Sequence, residues 1–153
     1  MKGNKFVLKP IGIVHSPFKE PTDIPRDMNR LPGAFAKVRG ELEIFPEYAE
    51  GLKDVAGSSH LIVIFAFHKS TGANLLSKPP GETRFRGVFS TRSPHRPNAL
   101  GLTVVKLASR KGNILGVSGI DMVEGTPILD IKPYTARDRK SGIRTGWIGG
   151  HGF

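Results

Sequence analysis

The chain has 153 residues and a hydrophobic fraction of 38%, which is typical of one domain with a packed core. It contains no cysteine, so disulfides, thiolate metal sites and cysteine nucleophiles are excluded. Its longest purely apolar run, 61–67, is far shorter than the ~20 residues of a membrane-spanning helix. The first residues lack the apolar segment of a secretory signal. We therefore expect a soluble cytoplasmic protein.

The formal net charge of +10 is concentrated in two parts of the chain. The segments 69–111 and 131–153 together contain fourteen Lys and Arg residues but only two acidic ones, whereas the remainder is slightly acidic. A localised positive field on a folded domain favours a polyanionic partner, most often nucleic acid. The alternative is a basic composition that serves solubility or thermal stability.

Strand patterns dominate the first half of the chain. The first predicted strand lies within 6–15, where a proline and a glycine indicate a bulge or an edge position. Alternating apolar and charged residues predict a strand with one solvated face over 36–44. A short helix is expected over 47–55. The continuous apolar run at 60–68 predicts a strand buried on both faces.

The second half continues the strand pattern. Residues 84–91 alternate around two phenylalanines, and 128–134 forms the last predicted strand. Segments 102–108 and 114–120 flank a turn that contains a glycine, which predicts a hairpin. Because alternating βα units are absent, a doubly wound sheet is disfavoured. The pattern predicts an all-β fold, either an antiparallel barrel or a sandwich, with one or two short helices.

The densest group of chemically active side chains lies in the connection 90–102. Pro94 and Pro97 restrict its backbone, so we expect a stiff loop. Arg92 and Arg96 offer planar, permanently charged donors for a carboxylate or a phosphate. The loop is therefore predicted to bind a ligand. The alternative is a surface turn whose arginines pair with acidic residues of the strands.

A second group follows the Gly-Thr-Pro corner at 125–127. Asp130, Lys132 and Tyr134 share one face of a predicted strand because side chains alternate with a period of two. A carboxylate, an amine and a phenol in a row can handle a proton or bind a polar ligand. The alternative is a salt-bridged solvent face. The five histidines show no zinc-binding spacing, so no metal is expected, and no phosphate-binding glycine loop is present.

Five separated motifs stand in a fixed order along residues 8–135. They are SPFKE at 16–20, PR at 25–26, SHL at 59–61, GVFSTRSPHRPN at 87–98, and GTP with DIKPY within 125–134. Together they resemble the TsaA/YaeB-like family of S-adenosylmethionine-dependent tRNA adenine methyltransferases. The resemblance implies a small β-barrel over 1–135, and the basic, glycine-rich tail at 136–153 is a feature of this chain's own. The resemblance also implies a homodimer that binds S-adenosylmethionine without a Rossmann domain and methylates the exocyclic amine of threonylcarbamoyl-adenosine beside a tRNA anticodon.

The resemblance further implies roles for individual residues. Contacts with the methyl donor are expected from Pro25, Arg26, Asp27, His68, Lys69, Arg92, Leu102, Asp121, Met122, Val123 and Glu124. Apart from the resemblance, the chemistry of the side chains makes Asp130 and Tyr134 the candidate catalytic residues in contact with the accepting amine, and Arg96 and Lys132 the candidate substrate-binding residues.

Two departures from the family pattern leave an alternative open. Asp27 stands where many members have Gln, and Ala99-Leu100 stand where many have Pro-Ile. Many bacterial members also carry an additional C-terminal domain. The alternative is therefore an S-adenosylmethionine-binding sensor or an RNA-binding module without transferase activity.

Overall fold

The structure is a computed structural model that describes residues 3–25 and 31–151, and its main body is a closed antiparallel barrel. The strands are β1 (Gly12–His15), β2 (Arg39–Ile44), β3 (His60–Ala66), β4 (Leu76–Ser77), β5 (Arg86–Gly87), β6 (Leu100–Lys111), β7 (Ile114–Ser118) and β8 (Pro127–Pro133). Six of them form the barrel in the order β1-β2-β7-β6-β3-β8, and β8 pairs back onto β1. Strands β4 and β5 form a separate two-stranded sheet. The predicted all-β class is confirmed, and of the two predicted architectures the structure is the barrel and not the sandwich.

The helical segments of the described residues are short 3₁₀ helices. They span Pro21–Asp23, Pro46–Leu52, Val55–Gly57, Val88–Ser90, Ala136–Asp138 and Gly146–His151. The helix expected over 47–55 forms as two 3₁₀ segments because Asp54 adopts the left-handed conformation, with φ of 67°. Within the described ranges, none of these segments has the length and hydrophobicity to cross a membrane.

The core fills the interior of the barrel, and the burial of β3 corrects one prediction. Leu61, Val63 and Phe65 point inward and are almost completely buried, whereas Ile62 and Ile64 point outward and are half-buried. The expectation that both faces of this strand are buried was wrong. A closed barrel has one interior, and burial of the outer face requires a further covering layer, which the strand's own residues do not reveal.

The long strand predicted at 84–91 is also wrong. Only Arg86–Gly87 pairs, with a two-residue partner, and the chain then enters a 3₁₀ turn. Phe85 and Phe89 are 67% and 77% exposed. Alternation predicts a strand only where a neighbouring strand is long enough to pair with it, and Leu76–Ser77 is not.

The antiparallel order gives the barrel two ends. We call the upper end the one where β1, β3 and β7 finish and β2, β6 and β8 begin. The lower end is the opposite one, where β8 finishes and the chain continues into residues 134–151. Strand direction therefore assigns the loop around 92–98 and the turn around 121–126 to the same end, although they are far apart in sequence.

Candidate functional site

The upper end brings a buried carboxylate close to an arginine of the stiff loop. Thr103 lies on the inner face of β6, and its hydroxyl donates a hydrogen bond of 2.6 Å to Asp121 Oδ1. Burial raises the pKa of Asp121, while the Thr103 hydrogen bond and the positive charge of Arg92 partly oppose that rise. Arg92 and Asp121 are two of the residues predicted to contact the methyl donor, and their charges interact.

Glu124, in the same turn, has both carboxylate oxygens engaged. Oε1 lies 2.8 Å from Nδ1 of His15, and Oε2 accepts a hydrogen bond of 2.7 Å from the Ser16 amide. Burial by itself would raise the pKa of Glu124, but these hydrogen bonds and the nearby charges outweigh it, so the pKa is lowered. The carboxylate therefore fixes the end of β1 against the turn, and its predicted contact with the donor stays a prediction.

The loop that carries the arginines is held by hydrogen bonds to its own backbone and to a neighbouring segment. The Ser70 hydroxyl donates to the Pro94 carbonyl at 3.0 Å and lies 2.8 Å from Nδ1 of His95. Nη1 of Arg96 donates to the carbonyls of Thr91 and Ser93 at 3.0 and 3.2 Å. The predicted stiffness thus has a physical origin beyond the prolines. One nitrogen of Arg96 is committed to the loop, and its substrate contact stays a prediction.

The remaining upper-end residues that were predicted to contact the methyl donor differ in how exposed they are to solvent. Met122 and Val123 are only 2% and 8% exposed and belong to the interior, and their predicted contact with the methyl donor stays a prediction. Burial, aided by the adjacent charge of Lys69, lowers the pKa of His68. Nζ of Lys69 donates to Glu20 Oε2 at 3.0 Å. Pro25 is exposed on the preceding loop.

Two further predicted donor residues, Arg26 and Asp27, lie outside the described residues.

Another set of predicted residues lies on the outer face of β6, β3 and β8. Strand register aligns Leu102, Ile64 and Asp130 in one row, and Val104, Ile62 and Lys132 in the next. Because Leu102 and Thr103 are consecutive on a strand, their side chains point to opposite faces. A single subunit therefore does not bring the Leu102 side chain together with Asp121.

Asp130 and Lys132 form an ion pair on this outer face. Lys132 Nζ lies 2.7 Å from Asp130 Oδ2, with both side chains about half exposed. Tyr134 follows at the lower end, where its ring packs edge-on against His60 at 6.3 Å between centroids. Tyr134 lies four positions beyond Asp130, or roughly 13 Å along the extended chain. The two residues predicted to be catalytic are therefore not adjacent within one subunit.

The outer face is apolar between its charged edges. Leu100, Leu102 and Val104 are 41%, 48% and 40% exposed. Two cavities, of about 370 and 350 Å³, lie at the lower end of the barrel, away from the predicted donor residues. The residues predicted to contact the methyl donor thus line an open surface next to the apolar outer face of the sheet.

Three contacts at the site were absent from the sequence interpretation. These are the Thr103–Asp121 hydrogen bond, the contact of His15 with Glu124, and a hydrogen bond of 2.9 Å from Trp147 Nε1 to the Ser90 carbonyl. Each joins residues that are distant along the chain, so local periodicity carries no signal for it. The Trp147 contact attaches the C-terminal segment to the start of the arginine-bearing loop.

Comparison with known proteins identifies the class to which this fold and these motifs belong. The family model of the tRNA-methyltransferase O N-terminal domain matches residues 13–138. A solved structure of TrmO from Pseudomonas aeruginosa superposes with a TM-score of 0.75 at 36% identity, covering 94% of this chain and 62% of that one. The chain belongs to the tRNA-methyltransferase O family. The predicted family is confirmed.

Two groups of curated relatives are similar to this chain. A probable S-adenosyl-L-methionine-binding protein of Pyrococcus abyssi is 47% identical over 92% of this chain and 74% of its own length. An S-adenosyl-L-methionine-binding protein of Archaeoglobus fulgidus is 45% identical, over 84% of this chain and 89% of its own length. The human tRNA (adenine(37)-N6)-methyltransferase is 39% identical over 89% of this chain, which spans only 32% of that enzyme.

Proposed function

We propose that this protein binds S-adenosylmethionine at the upper end of the barrel and transfers its methyl group to the exocyclic amine of an adenine in tRNA. The observation that carries the proposal is the convergence of Arg92, Asp121 and the 121–124 turn at one barrel end, in a chain that belongs to a tRNA methyltransferase family. Because tRNA is the substrate, we expect the reaction to take place in the cytoplasm.

The side chains at this end match the donor's functional groups. S-adenosylmethionine carries a carboxylate, an ammonium group, a sulfonium and a nucleoside. The Arg92 guanidinium is exposed and suits the carboxylate, whereas the buried Asp121 carboxylate suits a cationic or hydroxyl group.

When bound, the sulfonium supplies an already activated methyl group. The reaction forms a bond from carbon to the amine nitrogen, breaks the bond from carbon to sulfur, and releases the proton of the amine. The contribution of the protein is mainly orientation, since the reacting atoms must approach to about 3–3.5 Å in line. Asp130 is the proposed acceptor of the amine proton, and Tyr134 the proposed hydrogen-bonding partner of the base. Lys132 Nζ lies 2.7 Å from Asp130 Oδ2 and fixes the position of that carboxylate.

We further propose that the working site includes a second copy of the chain. Asp121 contacts the inner face of β6 through Thr103, whereas Leu102 lies on the outer face of that strand. Tyr134 follows the lower end of β8, so these residues do not meet within one subunit. The apolar rows of the outer face offer a surface for a two-fold related copy. The Asp130–Lys132 pair carries one charge of each sign, which suits a self-complementary interface.

The proposed substrate is threonylcarbamoyl-adenosine beside the anticodon of a tRNA. The fourteen basic residues of 69–111 and 131–153 supply a field for the phosphate backbone. The threonyl group adds a carboxylate, which gives Arg96 a ligand through the guanidinium nitrogens not used by its own loop.

A methyl-transfer assay tests this function. Labelled S-adenosylmethionine is incubated with tRNA that carries the threonylcarbamoyl group and with the same tRNA lacking it. We expect incorporation into the modified tRNA at a single adenine. Equal incorporation into both would contradict the proposed substrate, and no incorporation into any tRNA pool would contradict the transferase activity.

A second function is favoured by the relatives most similar in length. The Archaeoglobus fulgidus and Methanothermobacter thermautotrophicus proteins, of which this chain covers 89% and 88%, are named for S-adenosyl-L-methionine binding. The second candidate is therefore a donor-binding module without transferase activity. Calorimetric binding of S-adenosylmethionine, together with no methyl transfer to modified tRNA, would identify this second function.

A further inference from the structure

A pocket of about 350 Å³ at the lower end of the barrel includes Tyr134, and its other lining residues take no part in the proposed reaction. It is lined by Ser59, His60, Tyr134, Thr135, Ala136 and Arg139. We infer that this pocket binds a phosphate group of the RNA backbone, about 20 Å along β3 from the upper end. The inference rests on the proposed function only in taking RNA as the partner.

The chemistry of the pocket lining is that of an anion site. It contains one guanidinium, one imidazole and three hydroxyl groups, and no acidic side chain. A phosphodiester offers only acceptor oxygens, so the permanent positive charge and the donors of the lining are complementary to it. The Thr135 hydroxyl is not one of these donors, because it donates to Asp138 Oδ2. Phosphate contacts from Arg and hydroxyl side chains position a nucleic acid without reading its sequence.

The imidazole in the pocket is held in one orientation. The Ser59 hydroxyl lies 2.8 Å from Nδ1 of His60, and the Tyr134 ring packs edge-on against the imidazole. The Tyr134 amide donates to the His60 carbonyl at 3.0 Å, which fixes the two residues relative to each other. Because Ser59 engages Nδ1, a ligand of this imidazole would contact Nε2.

The backbone of the turn that carries Arg139 is fixed by a capping box. Oδ2 of Asp138 accepts hydrogen bonds from the Thr135 amide at 2.7 Å and from the Thr135 hydroxyl at 3.2 Å. The Arg139 amide then donates to the Ala136 carbonyl at 3.2 Å. The acidic residue of this turn is thus bound to its own backbone, while the next residue brings its positive charge to the pocket.

The surroundings add further positive charge. Lys106 is the register partner of His60 on the adjacent strand, and Arg137 and Lys140 are exposed on the segment that contains Arg139. A polyanion that approaches this end therefore meets a positive field before it reaches the pocket.

Binding of labelled tRNA to the full chain over a salt series tests the inference. Arg139→Gln removes the charge in the pocket, and Arg137→Gln removes a charge of the same kind from the same turn but outside the pocket lining. We expect Arg139→Gln to weaken tRNA binding roughly three- to tenfold at low salt and to reduce the slope of log affinity against log salt by roughly 0.7–0.9. Arg137→Gln should weaken binding less than about twofold. Equal losses in both variants, or no loss in Arg139→Gln, would overturn the inference.

A titration with inorganic phosphate, followed by the NMR resonances of the His60 ring, gives a second readout. We expect a saturable shift in the wild type that Arg139→Gln abolishes. No shift of the His60 resonances in the wild type would overturn the assignment of this pocket as a phosphate site. A shift combined with unchanged tRNA affinity in Arg139→Gln would identify a site for free phosphate and overturn the RNA assignment.

The same samples separate this inference from the proposed reaction. Methyl transfer is measured in parallel with tRNA binding. Loss of tRNA affinity in Arg139→Gln without methyl transfer by any variant would support the phosphate pocket and contradict the transferase activity. Normal methyl transfer with unchanged tRNA affinity in Arg139→Gln would support the transferase activity and contradict the phosphate pocket.

Discussion

The hydroxyl of Thr103 donates to Asp121 Oδ1 at 2.6 Å, which joins the inner face of β6 to the turn that follows β7. A carboxylate at this depth is costly unless it is hydrogen-bonded or paired. Here Thr103 supplies the hydrogen bond and Arg92 supplies the nearby charge. The upper end therefore holds a partly compensated anion, whose remaining need for a positive partner is consistent with a cationic ligand.

Asp121→Asn tests this role. The asparagine keeps an oxygen acceptor for Thr103, but it removes the buried charge, so we expect S-adenosylmethionine to bind about tenfold or more weakly by calorimetry. The unfolding free energy at neutral pH should not fall, since burial raises the pKa of Asp121 and the ionised form is disfavoured in the fold.

The wild-type affinity should decrease as the pH is lowered through the raised pKa of Asp121, and the Asn variant should lack that decrease. Thr103→Val is the control, because it removes the hydrogen bond and leaves the carboxylate. Unchanged donor affinity in Asp121→Asn would exclude a direct contact with the donor.

The contact between His15 and Glu124 predicts a pH-dependent contribution to stability. The hydrogen bond to Glu124 raises the pKa of His15 above 6.5, and the hydrogen bonds of Glu124 lower its pKa below 4.5. The His15 contribution is lost as the pH rises through its raised pKa, and the Glu124 contribution is lost as the pH falls through its lowered pKa.

We therefore expect His15→Gln to reduce the unfolding free energy most between about pH 4.5 and 6.5. The reduction should be below about 1 kcal/mol, since both groups are partly exposed. Chemical denaturation at several pH values measures it. A difference that increases toward pH 9 would contradict the contact.

Gly101 lies directly under the ring of Phe65. A methyl group on Gly101 would overlap that ring, which also packs edge-on against Phe67 at 5.1 Å between centroids. We expect Gly101→Ala to destabilise the fold by about 1–3 kcal/mol, as other overpacking substitutions do. Gly87→Ala is the matched control, since its added methyl group meets nothing within 4 Å. Thermal unfolding of both variants should show a loss only in Gly101→Ala.

Trp147 attaches the C-terminal segment to the loop that precedes Arg92. Its Nε1 donates to the Ser90 carbonyl at 2.9 Å, and the Arg86 guanidinium lies 5.1 Å from the centre of its ring. Because it is the single tryptophan of the chain, its fluorescence reports this contact. We expect Arg86→Gln to shift the emission toward that of exposed tryptophan without unfolding the barrel, and Arg84→Gln, a neighbouring exposed arginine, to leave it unchanged.

The outer face of the barrel predicts the effect of a charge at a subunit interface. If two copies meet there, Leu102→Glu introduces an uncompensated carboxylate into the interface and should convert a dimer into a monomer in sedimentation or light scattering. Leu76→Glu is the control, because this leucine is also exposed but lies on the separate two-stranded sheet. A wild-type chain that is monomeric at high concentration would contradict the proposed assembly.

Much of the fold was accessible from the sequence. Alternation over 36–44 and the apolar run at 60–68 each predicted a strand that forms, as Arg39–Ile44 and His60–Ala66. The alternation around Phe85 did not produce a long strand, because the available partner has only two residues. Sequence periodicity indicates that a segment favours the strand conformation. Whether it pairs into a sheet depends on the length of the neighbouring strand.

The all-β class and the motifs that define the family are predictable from the sequence, since they depend on neighbouring residues and their order. Which of those motifs meet depends on how distant strands pair. Antiparallel closure of the barrel brings Arg92 and Asp121 to one end and separates Asp130 from Tyr134 along a strand. The physical reason is that strand direction and side-chain alternation assign each residue an end and a face, and both are fixed only when distant strands pair.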